Sequence, residues 1–198
     1  TQTLASLGLT GVHDPGVSLE VIEMYRQKIS LGKFPLRVYA MADGVNATLD
    51  WLCDNGPIQD ASNRLIMRSV KLYGDGALGS RGAALLEDYT DEPGNRGLLF
   101  LDDEQLDDQV RRVMFCGLQT GIHAIGDGAN RQVLDAYERV IPDFPDNPGR
   151  HRIEHAQILH PDDIGRFGEL DIIAAMQPIH ATSDMYWADE RLGKDRIQ

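Results

Sequence analysis

The chain has 198 residues, 42% of them hydrophobic and 25% charged, with a formal net charge of −12. That length suits one domain with a sizeable core. The acidic balance argues against nucleic acid or an anionic membrane as partner, and no apolar run approaches the roughly 20 residues that span a bilayer.

Residues 1–9 lack the basic and apolar regions of a signal peptide, and without an initiating Met, Thr1 reads as a cut end. Residues 9–13 (LTGVH) form a short strand, closed by the turn signal Asp14-Pro15-Gly16. Ser18 stands where an N-cap belongs, ahead of Val21, Ile22, Tyr25 and Ile29 at helical spacing. Residues 36–41 (LRVYAM) are the next strand, and a helix over 46–53 is stopped by Gly56-Pro57. Residues 68–73 (RSVKLY) are a third strand. The Gly-rich residues 74–97 show little apolar periodicity and are too long for an ordinary connection, the mark of a functional or mobile loop.

Asp102 with Gln105 resembles a capping box, opening a helix with Leu106, Val110, Val113 and Met114 on one face. Residues 120–125 are a strand that ends at Gly126-Asp127-Gly128. Asp127 is expected to cap a helix whose stripe is Val133, Ala136, Tyr137, Val140 and Ile141. Residues 142–149 are a proline-rich loop and 152–158 a strand. Pro161 suits the first turn of a helix through Phe167, and 172–177 is the last strand. Cys53 and Cys116 read as two small buried hydrophobes, without zinc spacing or a disulfide framework, which fits a reducing, cytoplasmic compartment.

About six strands, the first five each followed by a helix, call for parallel pairing and right-handed crossovers. HDPGVS after the first strand is no Gly-x-Gly-x-x-Gly turn, which excludes a Rossmann reading. A (β/α)8 barrel usually needs about 250 residues. The expected fold is therefore α/β, a TIM-type (β/α)8 barrel short of two strands, with residues 1–198 as one partial-barrel domain.

In such a barrel, chemistry sits at the C-terminal ends of the strands. Lys71 lies between Val70 and Leu72. A strand lysine is usually an edge or surface residue, but on a core strand its ammonium must be neutralised or paired. His123 (GIHAIGD) and His155 (RIEHAQ) each lie where a strand runs out. Either could be a satisfied core histidine, but a separation of 32 residues, one βα unit, favours a shared metal. His180 (QPIH) follows the final strand and is a candidate for metal or substrate. His13, His151 and His160 read as solvent-facing. Glu154 alternates with His155 and faces the other way, with Arg152 as its partner. Asp75 suits turn chemistry or the orienting of a metal-bound histidine.

Three motifs, VKLYGDGALGSRGAAL, GIHAIGDGAN and RIEHAQ, in this order and spacing resemble the YtcJ-like branch of the amidohydrolase superfamily. The resemblance runs from GVHDPG to QPIH. It implies a distorted (β/α)8 barrel beside a small β-sandwich. The implied activity is hydrolysis of C–N bonds other than peptide bonds, in amide, N-acyl or formamide substrates, by metal-activated water. Lys71 matches the strand-four lysine whose carbamate holds or bridges one or two divalent ions, zinc by expectation. His123 and His155 match the strand-five and strand-six ligands, and His180 a histidine on the substrate side. Residues 74–100 match a loop covering the site, with Arg81 as a substrate contact.

The family's His-x-His pair on strand one is absent from the sequence, and the chain stops at Gln198, before the strand-eight Asp that serves as acid and base. The expectation is an internal fragment without strands one and eight, holding metal partially or not at all and inactive alone. Its partners would be a small-molecule substrate and further copies of itself joined through open barrel edges. Two other readings stay open: a Schiff-base lyase with Lys71 as nucleophile, which leaves both histidines idle, and a non-catalytic barrel fragment that only associates.

Overall fold

The computed structural model describes residues 1–197. A short helix α1 (Gln2–Ser6) precedes β1 (Gly11–Val17), α2 (Leu19–Ser30), β2 (Arg37–Asp43), α3 (Ala47–Asn55), a two-residue β3 (Ile58–Gln59) and β4 (Leu65–Tyr73). A long connection leads to α4 (Asp103–Phe115), β5 (Gln119–Ala124) and α5 (Asp127–Val140). Then come β6 (Arg152–His155), α6 (Pro161–Glu169), β7 (Ile173–Ala175), α7 (Ile179–Ser183) and α8 (Ala188–Leu192). Strands β1–β2, β2–β4 and β6–β7 pair in parallel, while β3 is antiparallel to β4. Parallel strands need crossovers, and helices supply them. This is the α/β pattern of an incomplete (β/α)8-type barrel, as expected. No helix of the described residues is long and apolar enough to cross a membrane.

The chain divides into two units. The first holds Thr1–Leu72, Arg112–Gly121 and Asp146–Pro148; the second holds Tyr73–Arg111, Ile122–Pro145 and the described residues from 149 onward.

In the first unit, Val38, Ala40, Leu65 and Met67 lie fully buried along β2 and β4, over Leu49 and Leu52 of α3. Asn46 caps α3 by accepting the Thr48 N–H at 2.8 Å, and Gly56 ends it at φ 80°, a conformation that suits glycine. Asp14-Pro15-Gly16, expected as a turn, lies inside β1. The register with β2 shifts between Pro15 and Val17, with Gly16 at φ 88°. The three residues make a bulge at the end of the strand order, where a proline costs no ladder bond. The cysteine expectation is also corrected. Cys53, near the end of α3, and Cys116, just past α4, form a disulfide with Cα atoms 4.9 Å apart. Neither is a core residue; both are half-buried. Their sequence separation of 63 hides from the sequence a meeting that only the tertiary fold creates.

In the second unit, the capping box of α4 is reciprocal: Gln105 N–H donates to Asp102 Oδ1 at 2.8 Å, and Asp102 N–H to Gln105 Oε1 at 3.1 Å. Val133, Ala136, Tyr137 and Val140 bury the stripe of α5. Asp127 is the first residue of α5, not its cap. Gly126 holds the cap position, and Asp127 Oδ1 accepts the Leu86 N–H at 2.9 Å. Strand β6 stops at His155, three residues earlier than expected, because His155 and Ala156 turn into the left-handed region at φ 78° and 43°. Arg152 pairs with Glu154 at 2.6 Å, as strand alternation predicts. Pro161 opens α6, and His160 caps it. His151 is not a surface residue: it is 3% exposed, with its ring 5.6 Å from that of Tyr137.

Replacing both Cys53 and Cys116 by serine is expected to lower the unfolding free energy by about 2–4 kcal/mol, read by urea denaturation. Equal stability of the two forms would mean that the bridge constrains nothing. Burial holds His151 down at about 4, below its ordinary 6.5. Between those values the unfolded chain takes up a proton that the folded chain refuses, so stability falls as pH drops through that window. The loss is about 2–3 kcal/mol. His151→Phe should flatten that part of the pH–stability curve.

Candidate functional site

The parallel strands of the second unit end in polar side chains. His123, the fifth residue of β5, and His155, the last of β6, bring their rings to 4.6 Å between centroids, edge to face. His180 of α7 lies 5.8 Å from His155, and Tyr73 6.1 Å from His123. One nitrogen of each strand histidine is already engaged. His123 Nε2 lies 3.3 Å from both Asp75 Oδ1 and Gly76 O. His155 Nδ1 lies 2.7 Å from Gln177 Oε1, and Gln177 in turn donates from Nε2 to Ala175 O at 3.1 Å. These partners are oxygens, which accept, so the engaged nitrogens carry the protons. The backbone of His155 sits where non-glycine residues pay about 1–3 kcal/mol. Its turn is pinned by Ala156 N–H on Ala124 O at 3.1 Å and Ile158 N–H on Ile125 O at 2.9 Å.

Asp75 is the hub beneath these groups. Its side chain is fully buried, yet three backbone N–H groups satisfy it: Ile125 at 2.9 Å, Gly126 at 2.8 Å and Ala84 at 2.9 Å. These bonds tie the start of the long connection to the end of β5 and the start of α5. Glycine is required where the two segments meet. A Cβ on Gly126 would lie 2.0 Å from Ala84 O. That carbonyl also accepts the Gly128 and Ala129 N–H groups at the start of α5, at 2.9 and 3.2 Å. Tyr89, fully buried, donates to Ala83 O at 2.7 Å; burial, with the Asp75 charge added, pushes its phenol up to about 12. The connection is thus an ordered structure with its own core, formed by Leu78, Ala83, Leu85 and Tyr89 with Ile125 and Leu192.

The remaining expected site residues fall as follows. Lys71 is 4% exposed on β4 of the first unit, with Nζ donating to Leu72 O at 3.0 Å. Arg81 pairs in bidentate fashion with Asp91, at 3.1 and 2.8 Å, and lies 3.3 Å from Glu92. That pairing holds its guanidinium above its usual range, and Arg81 does not line the cavity beside the histidines. That cavity, about 560 Å³, is bounded by His155, His180, Gln157, Gln177 and Asp184 among apolar side chains. Sequence reading passed over Gln177. Its signal was available: a polar residue that closes the apolar run of residues 172–176. Among the described residues, no three of His, Cys, Asp and Glu gather in a way that could hold a metal. Two imidazoles oriented by oxygen acceptors fit the first two places of a zinc-type donor set, and the chain's own His, Cys, Asp and Glu do not complete it.

The amidohydrolase family model matches residues 2–198. Bacillus subtilis (strain 168) YtcJ, named as an amidohydrolase, is 34% identical over 96% of this chain and 36% of its own length. The N-substituted formamide deformylase of Arthrobacter pascens is 27% identical over 87% of this chain and 32% of its own. The crystal structure of a metal-dependent hydrolase from Pyrococcus horikoshii OT3 superposes with a TM-score of 0.85 at 32% identity, over 98% of this chain and 38% of that one. The chain thus spans about a third of the length of these proteins.

Asp75→Ala would leave three buried N–H groups without their acceptor, at about 1–3 kcal/mol each, so urea denaturation should show a loss of at least about 3 kcal/mol. Asp75→Asn keeps an acceptor oxygen and should lose less. Equal stability of Asp75→Ala and the parent would contradict the hub.

Proposed function

Because the chain belongs to the amidohydrolase family, we propose that it forms part of a metal-dependent hydrolase acting on C–N bonds other than peptide bonds, in amide, N-acyl or formamide substrates. One observation carries this reading: the His123–His155 pair, with the proton of each ring fixed by an oxygen on one nitrogen. Asp75 and Gly76 hold Nε2 of His123, and Gln177 holds Nδ1 of His155, so metal bonding falls to the opposite nitrogens. A divalent ion, zinc by the preference of imidazole donors, would polarise the scissile carbonyl and activate water. Lys71, as a carbamate, is the proposed third ligand; carbamylation would turn its ammonium into an anion whose buried charge a metal ion would offset. The name of the formamide-cleaving relative supports C–N chemistry.

Within this proposal, Asp75 fixes the tautomer of His123, His180 faces substrate, and residues 74–100 cover the site. The acid–base group and two further ligands would come from segments outside this chain, so the chain alone is expected to be inactive. Self-association through strand edges belongs to the same proposal and is read by light scattering. A cytoplasmic setting would keep Cys53 and Cys116 reduced, whereas the bridged form belongs to an oxidising one.

Metal analysis after dialysis against zinc should find less than one ion per chain, and His123→Ala or His155→Ala should remove what remains. N-acyl amino acids and formamides should show no turnover. Tight stoichiometric zinc with clear hydrolysis by this chain would overturn the need for further ligands. Zinc content untouched by either histidine variant would overturn the site.

A further inference from the structure

The cavity beside His155 and His180 has a character of its own. Its floor is preformed: Leu78 and Leu192 are each 2% exposed and belong to the buried cluster of the second unit, with Ile158 packed against it. Its rim is adaptable: Met176 and Met185 are 57% and 63% exposed, and the thioether chain repacks around irregular ligands. Its volume of about 560 Å³ falls in the range of small-molecule sites.

The polar groups of the wall bond to one another. Gln157 Nε2 donates to Asp184 Oδ2 at 2.7 Å, and Ser183 Oγ donates to Asp184 Oδ1 at 2.7 Å. Asp184 is the wall's formal charge. Among the described residues lining the cavity there is no lysine or arginine. The basic side chains nearby in sequence are directed elsewhere: Arg191 pairs with Asp91, and Arg196 donates to Leu192 O at 2.7 Å and Asp88 O at 2.7 Å. In the metal-free chain, a carboxylate entering here would meet the Asp184 carboxylate and no lysine or arginine. Juxtaposed like charges in a partly dry site are a strong means of rejection.

We propose that this cavity receives the apolar substituent of an uncharged amide, aliphatic or aromatic, and that Asp184 rejects substrates bearing a carboxylate beside the scissile bond. The proposal rests on the hydrolase reading for the word substrate, since His155 is shared between cavity and candidate metal pair. The preference itself is a property of the wall and is measurable without metal or turnover. Within the open list of amide, N-acyl and formamide substrates, it selects neutral amides over N-acyl amino acids.

The test uses two probes that differ by one carboxylate: N-(2-phenylethyl)acetamide and N-acetylphenylalanine. Each is titrated calorimetrically into the full chain with chelator present at pH 7. The neutral amide is expected to bind at least about tenfold tighter than the acid. Asp184→Asn keeps an acceptor for Gln157 and should narrow the difference to about threefold or less. Ala181→Trp, at an exposed position of the wall, should fill the cavity and abolish binding of the neutral probe. Equal or tighter binding of the acid overturns the proposal. So does saturable binding that survives Ala181→Trp, or no binding of either probe at millimolar concentration. Because no metal is present, a chain that binds as expected yet belongs to no active hydrolase would leave the cavity's preference standing and refute only the catalytic reading.

Discussion

A buried carboxylate must be satisfied by donors, and Asp75 takes its donors from two stretches of chain about forty residues apart. Ala84 belongs to the long connection, while Ile125 and Gly126 belong to the turn between β5 and α5. Holding both on one pair of oxygens fixes where α5 begins, how the connection leaves β4, and which nitrogen of His123 stays protonated. The small size of Gly126 is the other half of this constraint, since any Cβ there would strike the Ala84 carbonyl. Remove the carboxylate, and the connection loses the anchor that carries Leu78 and Tyr89 into the core of the second unit.

Much of the fold was legible from periodicity. The stripes of α4 and α5, the capping box at Asp102 and the order of strands and helices all follow from spacing and local hydrogen-bonding chemistry. So did the places of His123 and His155, because a polar residue at the end of an apolar strand stands out. What was illegible depends on contacts distant in sequence. Nothing near Cys53 announces Cys116. His151 looks like a loop residue until Tyr137 covers it. Asp14-Pro15-Gly16 carries every mark of a turn, and only pairing with β2 makes it a bulge. The connection from 74 to 100 lacks apolar rhythm because it packs as loops around a buried aspartate, not as a repeating element. Arg81, which the family resemblance implies as a substrate contact, is paired locally with Asp91 and Glu92.

The two histidines show how position and orientation are supplied separately. Parallel strands bring their Cα atoms to one end of the sheet, which a repeating βα pattern does without help. Orientation comes from Asp75, Gly76 and Gln177, residues outside the strands proper. The left-handed turn at His155 adds a backbone contribution, since it ends β6 early and aims the chain toward Gln157 and Ile158 at the cavity wall. The proposed metal pair and the proposed substrate cavity therefore share one residue, whose conformation is held by neighbours on both sides.

The bridge between Cys53 and Cys116 closes a ring of chain that contains the whole of the long connection. A protease that nicks any exposed peptide bond between residues 54 and 115 would open the loop without releasing a fragment. The two pieces would migrate as one species on a gel until a reductant separated them. Within such a ring, the surface loops can be cut, lengthened or exchanged while the strands on either side stay covalently tethered.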